Sequence, residues 1–446
     1  MQYYIPLLVS CSVFGNMKGA LFALGAYIGL ASTTILQNGQ VRPTDYPNTA
    51  IPTISGYNST WRTYPPSADE LSYKGRWDDK HISWWSAPGL KFGFQADYLA
   101  ISFGNYTSED VLIAYRLDGL DWMLTNVTTS STHLLISPET TGFNLTTSGN
   151  GTSGNLTEPY RTFEMRVTNW AYGVQIHNVH VAGGAGRLVR IPEYTRRMEL
   201  IGDSLSAGQY ATLEGISSYS WGLMYGLGNT EFSVTAYPGI CLHDSQCYGN
   251  VHGQELQWLK IPDTSYRAYQ IYGEDPDNIP NWNFSAHPAA DITVINLGTN
   301  DHNPSNNITA QQFRTSYINL IDSIQSRWPS TQIIVISLWI GFTQVGNTYA
   351  EEGGLDTELQ NVVRHFNNGT LNQRGECAEC SVYYFNSTGI LQHNDLGPLY
   401  HPTDVGHVKL ASHLMMYIKW VFGWEFEQSG PEVQHETLYW NDQTSY

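Results

Sequence analysis

Acyl transfer by a serine needs a hydroxyl nucleophile, a base within hydrogen-bond reach of it, and donors for the oxyanion that develops on the substrate carbonyl. The chain offers these types in order at Ser204, Gly239, Asn300 and His401. The run Ile201, Gly202, Asp203, Ser204 and Leu205 ends an apolar segment, and the small Gly202 lets the backbone turn sharply so that Ser204 points outward. Gly239, after Tyr237 and Pro238, offers a backbone N–H that no side chain shields. In Gly298, Thr299, Asn300 and Asp301 the Asn300 amide is a second donor, and the Ser204 N–H is a third. His401 opens the segment His401, Pro402, Thr403, Asp404, Val405, Gly406 and His407 and is the candidate base.

These four residues require elements that bring them together from distant parts of the chain. After Arg197, short apolar runs alternate with helical stretches, which is the pattern of a doubly wound α/β sheet. Met198 to Ile201, Phe232 to Ala236, Ile292 to Leu297, Ile333 to Leu338 and Val382 to Phe385 suit parallel strands buried on both faces. Open sheets of this kind bind ligands at the carboxyl ends of their strands, where all four candidates fall. Phe313, Tyr317, Leu320, Ile321, Ile324 and Trp328 recur at three- and four-residue spacing and predict a helix packed on the sheet. Val405, Val408, Ala411, Leu414, Met415 and Ile418 predict the inward face of a last helix, beginning after His401.

Residues 42–192 instead read as alternating strands. Leu99, Ile101 and Phe103 alternate with smaller residues; Val111, Ile113, Tyr115 and Leu117 alternate with residues that include Arg116 and Asp118, so each run predicts one buried face. Phe163, Met165 and Val167 alternate likewise, and the parity shift between Ile176 and Val179 predicts a bulge near Asn178. The expected organisation is an all-β sandwich or jelly roll, a boundary near Pro192, a doubly wound α/β domain over 196–427 and a tail over 428–446. The tandem Trp84 and Trp85 point to opposite faces if extended, leaving one exposed.

Composition bounds the partners. With 40 Asp and Glu against 22 Lys and Arg, the formal charge of −18 repels nucleic acid and anionic membranes. Only 14% of residues are charged, beside 14 Trp, 29 Tyr and 41 Gly, a balance suited to neutral polymers such as sugars. Trp258, Trp282 and Trp339 are candidates for stacking on sugar rings.

Met17, Lys18 and the apolar run Ala20 to Ala31 have the charge, length and small-residue exit of a signal peptide over 1–31, with either Met1 or Met17 as the start. The run is shorter than the roughly 20 residues a spanning helix needs, so a secreted mature protein free of the membrane is expected. Ten Asn-x-Ser/Thr sequons agree with export: Asn58, Asn105, Asn126, Asn144, Asn150, Asn155, Asn283, Asn307, Asn368 and Asn386. If Cys11 leaves with the signal segment, Cys241, Cys247, Cys377 and Cys380 remain, and of their three connectivities the local pairs Cys241–Cys247 and Cys377–Cys380 are expected. Their spacing is too long for a compact zinc ribbon, and no HExxH occurs, so no metal site is expected.

Taken in order, Ser204, Gly239, Asn300 and His401 resemble the four signature positions of the GDSL or SGNH hydrolases over residues 196–425. The lead-in RRMELIGDS, the INLGTND and HPTDVGH segments and the preceding β domain resemble carbohydrate esterase family 2. That resemblance implies a flavodoxin-like three-layer α/β/α hydrolase domain behind a jelly roll, and removal of acetyl groups from xylan or glucomannan by a cofactor-free monomer. Most such hydrolases carry an aspartate three residues before the catalytic histidine, where this chain has Pro398. The expected substitute is the backbone carbonyl of Tyr400 or a displaced acid, Asp395, since the third member chiefly orients the imidazole. Asp203 and Asp301 are expected to bond nearby backbone donors, and His407 to be a surface or core histidine; His243, Asp244, His252 and His302 receive no role. A lipase or aryl esterase, and a carbohydrate-binding protein with a decayed site, are the alternative readings.

Overall fold

The computed structural model describes residues 36–37, 40–41, 61–140, 142–143, 160–273, 275 and 278–427. The signal segment with Cys11, Met17 and Lys18, the sequons at Asn58, Asn144, Asn150 and Asn155, and the tail 428–446 lie outside the described residues. Met1–Asp45 forms a unit of its own, with a short antiparallel pair of Leu36–Gln37 and Gln40–Val41. Everything below concerns the second unit, Tyr46–Tyr446.

Five parallel strands carry the α/β layer, in the spatial order Val382–Phe385, Gln332–Ile336, Ile292–Asn296, Arg196–Gly202 and Thr230–Ala236. This is the doubly wound order in which the first strand lies between the second and third, so the strand order reverses at Arg196–Gly202. Leu200, Ile201, Val294, Ile295, Ile334 and Val335 are fully enclosed, as strands covered on both faces require. Each such aliphatic side chain contributes about 1.5–3 kcal/mol relative to exposure. The expected stripe on Ala310–Arg327 is buried, and Thr309 caps that helix in a reciprocal pair with Gln312.

The last helix, Asp404–Phe422, departs from its sequence reading. Leu410, Ala411, Leu414 and Ile418 face inward, but Val405 and Val408 are 60% and 68% exposed. The inward face runs through Gly406 and His407 instead. A Cβ at Gly406 would lie 2.6 Å from the Asp395 carbonyl, and His407 Nδ1 accepts the Tyr219 N–H at 3.0 Å. Close backbone approach and one hydrogen bond thus set the rotation, against the pull of two valines.

The β region is a two-sheet antiparallel sandwich. One sheet is Arg62–Tyr64, Ile176–Ala182, Tyr98–Phe103 and Thr132–Ile136; its register shifts between Ile176 and Asn178, where the bulge was expected. The other is built on the 13-residue strand Ser83–Gln95 with Arg161–Val167, Val111–Leu117 and Met123–Val127. Leu90, Phe92, Phe94, Leu99, Ile101, Val111, Ile113, Phe163 and Met165 share the core between them.

The expectation of a single buried face per strand is corrected here. Arg116, Glu164 and Arg166 lie on the second face of their strands and are buried as well. Glu164 accepts from Arg116 Nε and Arg166 Nε, both at 2.9 Å, while the guanidiniums lie over Trp122 and Trp221. Arg116 also donates to the Tyr225 hydroxyl at 3.0 Å, on the helix Tyr219–Leu227 of the α/β layer. The polar face is therefore an interface. Ser86 on the long strand bridges Val234 at the edge of the parallel sheet, making one 11-stranded sheet. The chain changes pattern between Arg187–Val189 and Arg196–Gly202, around Pro192, yet the two layers are continuous in space.

Trp84 and Trp85 are both buried, at 0% and 1% exposure. Trp85 adopts φ 68°, which breaks the alternation expected of an extended pair. Its indole donates to the Ile261 carbonyl at 2.8 Å, and the Trp84 indole donates to Asp78 at 2.9 Å.

Candidate active site

The nucleophile turn is forced by local sterics. A Cβ at Gly202 would lie 2.4 Å from Ser206 Cβ, because the one-turn helix Ser204–Ala207 folds straight back over the strand end. Asp203 caps that turn, its carboxylate accepting the Leu205 N–H at 3.0 Å, and Gly208 closes it at φ 76°. Burial pushes Asp203 up to about 7, and the neighbouring Asp301 adds to the shift. Ser204 occupies the first helical position, where its N–H has no intrahelical acceptor.

His401 Nε2 lies 2.8 Å from Ser204 Oγ. The histidine is placed by the start of the last helix, where Thr403 caps the Gly406 N–H. Its Nδ1 lies 3.0 Å from a backbone carbonyl, that of Leu399. A carbonyl only accepts, so Nδ1 carries the proton and Nε2 is left as the acceptor for the serine hydroxyl. Burial lowers the His401 pKa, outweighing the carbonyls of Leu399 and Pro398 that push the other way. The neutral ring, the form a base needs, is thereby favoured. The Tyr210 ring stands edge-on, 5.0 Å from the imidazole.

Both sequence candidates for the orienting group are corrected. Leu399 and Tyr400 adopt φ 52° and 60°, and these consecutive left-handed residues turn the Leu399 carbonyl, not that of Tyr400, onto the ring. The Asp395 side chain, 1% exposed, is held elsewhere, accepting from Lys409 Nζ at 2.7 and 2.9 Å and from the Gln392 N–H at 2.8 Å.

Gly239 and Asn300 follow the two strands that flank Arg196–Gly202, so both stand beside the Ser204 turn at the same edge. Gly239 has φ 76°, and a Cβ there would lie 2.8 Å from that of Tyr248. Among the described residues its N–H makes no hydrogen bond. Asn300 sits in the turn Thr299–His302 and donates Nδ2 to the Ile240 carbonyl at 2.8 Å, with a second N–H to spare. Asp301 accepts the N–H groups of Leu242 and His243, as expected of a carboxylate serving backbone donors.

Other expected residues fall outside this cluster. Trp258 and Trp339 are fully packed and present no face to a sugar, while Trp282 is half-buried and stacks on His287 at 3.9 Å, away from this cluster. A cavity of about 410 Å³ lies at the opposite strand ends, against Lys74, Glu193, Arg197 and Glu231, and holds none of the four residues. The hydrogen-bonded pair, rather than concavity, marks the reactive place. Cysteines 241 and 247, and 377 and 380, are joined by disulfides. Among the described residues no group of three or more His, Cys, Asp or Glu is placed to hold a metal. Asn105, Asn283, Asn307, Asn368 and Asn386 are exposed, whereas Asn126 is buried and donates Nδ2 to the Asp110 carbonyl at 2.7 Å. That nitrogen would carry the glycan, and its burial sets Asn126 apart from the five exposed sequons.

Comparison with known proteins agrees with the signature. The family described as GDSL-like Lipase/Acylhydrolase matches residues 198–414. This segment is a GDSL-like lipase/acylhydrolase domain. No curated protein matches the chain by sequence. Among solved structures, a family two carbohydrate esterase from Clostridium thermocellum in complex with cellohexaose is 24% identical, with a TM-score of 0.56 over 79% of this chain and 99% of that one. A carbohydrate esterase family 2 enzyme with a carbohydrate binding domain, from Corynascus thermopiles (Myceliophthora fergusii), is 17% identical, with a TM-score of 0.57 over 79% and 100%. An acetyl xylan esterase from the rumen bacterium Butyrivibrio proteoclasticus is 15% identical, with a TM-score of 0.56 over 82% and 100%. At such identities the likeness is one of fold. It extends beyond the GDSL-like domain, since the shared share of this chain exceeds residues 198–414 and takes in sandwich strands.

Proposed function

We propose that this protein is a secreted serine esterase that removes O-acetyl groups from plant cell-wall polysaccharides, xylan or glucomannan, through an acetyl-enzyme. The observation that carries the reading is the 2.8 Å contact between Ser204 Oγ and His401 Nε2, in the tautomer that lets the imidazole accept. The fold shared with three carbohydrate esterases supports the substrate class. The exposed sequons and two disulfides support export, and we read the sandwich as the jelly roll of such enzymes.

In this mechanism His401 Nε2 takes the Ser204 proton as the hydroxyl oxygen attacks the acetyl carbonyl. The tetrahedral oxyanion accepts from the N–H groups of Ser204 and Gly239 and from the Asn300 amide; losing one such donor costs about 3 kcal/mol in other enzymes. The imidazolium passes its proton to the departing sugar oxygen. Water then enters by the same route in reverse, His401 removing its proton, and acetate leaves. The Leu399 carbonyl holds the ring and its Nδ1 proton as a triad carboxylate does, with a partial charge in place of a full one.

The test is acetate release from acetylated xylan and acetylated glucomannan by the secreted protein, beside a folded Ser204→Ala variant. Release that disappears in the variant supports the reading, and the ratio between polymers ranks the substrates. Release from neither polymer by a folded parent sinks it.

A further inference from the structure

Resting on the esterase reading, we propose that Asp301 is a positioning residue that sets the oxyanion hole, by clamping the loop that carries Gly239 onto the turn that carries Asn300. Asp301 is 2% exposed and follows Asn300 directly. Its two carboxylate oxygens reach across to the other loop, Oδ2 accepting the Leu242 N–H at 2.8 Å and Oδ1 the His243 N–H at 3.0 Å. Asn300 Nδ2 donates in the same direction, to the Ile240 carbonyl at 2.8 Å. Three hydrogen bonds therefore cross between residues 240–243, which follow Gly239, and residues 300–301, which include Asn300.

The far side of the Gly239 loop is anchored independently. Asn250 Nδ2 donates to the Pro238 carbonyl at 3.1 Å and to the Cys247 carbonyl at 3.0 Å, and Cys241–Cys247 closes the loop covalently. Asn250 holds the peptide before Gly239 and Asp301 holds the residues after it. Between these anchors the direction of the Gly239 N–H is fixed, with φ at 76°. Asp301 is nearly enclosed, with both oxygens turned to main-chain donors of the neighbouring loop, so it acts through Gly239 and Asn300 rather than on the ester.

The chemistry distinguishes this role from general packing. Asp301→Asn replaces one acceptor by an NH2 group that confronts a backbone N–H, which frees one end of the clamp while leaving shape unchanged. On p-nitrophenyl acetate, kcat is expected to fall at least about tenfold, approaching the roughly 100-fold loss of a missing oxyanion donor. KM should stay within about threefold, because ground-state binding does not use the hole. Asp301→Glu, which keeps both acceptors, is expected to restore part of kcat. A folded Asp301→Asn variant with parental kcat, or one altered only in KM, overturns the proposal.

Should the variants fail to fold, amide exchange in the unaltered protein decides. Leu242 and His243 amides are expected to be strongly protected, and exchange at the rate of free loop amides overturns the clamp. Labelling of Ser204 by a fluorophosphonate in the parent separates the two claims. A parent that is neither labelled nor active on the aryl ester removes the esterase reading, while the exchange result still judges the clamp.

Discussion

His401 Nδ1 is bonded to the Leu399 carbonyl at 3.0 Å, two residues away in the same turn. The orienting group of the base is therefore main chain, and no side-chain substitution can delete it directly. What is replaceable is the turn itself, whose left-handed residues aim that carbonyl. The nearest acid before it in sequence, Asp395, serves the frame of the same segment through Lys409 and the Gln392 N–H.

Asp395→Asn should accordingly be a stability variant. Removing its charge weakens a nearly buried ion pair whose lysine is partly exposed, at a cost of roughly 1–3 kcal/mol. In urea unfolding the midpoint should drop while kcat stays within about fivefold of the parent. A loss near 10⁴-fold, the scale for a triad aspartate, would show instead that Asp395 reaches the histidine during turnover.

The pH profile carries the signature of the missing carboxylate. Burial lowers the His401 pKa from its ordinary 6.5, and among the described residues no anion beside the ring raises it again. The protonated ring cannot accept from Ser204, so kcat/KM should rise as pH increases through that lowered value, with the limb centred below pH 6.5. Initial rates on p-nitrophenyl acetate from pH 4 to 8 test this. An acid limb centred above 6.5 would mean that a carboxylate does face the ring.

Glu164 holds the sandwich and the GDSL-like domain together from beneath. Burial alone would raise its pKa, but Arg116 and Arg166 hold it well below the usual carboxylate range. Glu164→Gln leaves two enclosed guanidiniums without an anion, with an expected cost of about 3–5 kcal/mol. Because the two layers share one sheet, the parent should unfold in a single transition and the variant in a single, earlier one. A separate early transition of the sandwich alone would contradict the continuous interface.

Glycan mapping of the secreted protein should find Asn105, Asn283, Asn307, Asn368 and Asn386 accessible and Asn126 empty. In the folded chain Asn126 is 6% exposed, with one amide N–H on the Asp110 carbonyl, so an attached sugar would have to displace its neighbours. An occupied Asn126 would overturn the argument from burial.

The sequence alone determined the four reactive types, their order and the strand ends that carry them. It also placed the five parallel strands and the Ala310–Arg327 helix, whose periodic apolar residues are all buried. These follow from local chemistry: a run that is apolar at the right period must be enclosed, whatever encloses it. Tertiary structure decided everything that depends on which surface arrives from elsewhere. Arg116 and Glu164 read as a solvent face until the helix Tyr219–Leu227 covers them. Val405 and Val408 read as core until Gly406 and His407 take the inward position. The Leu399 carbonyl was illegible for a deeper reason: every residue has a carbonyl, so its identity reports nothing, and only the folded turn selects the one that meets the histidine.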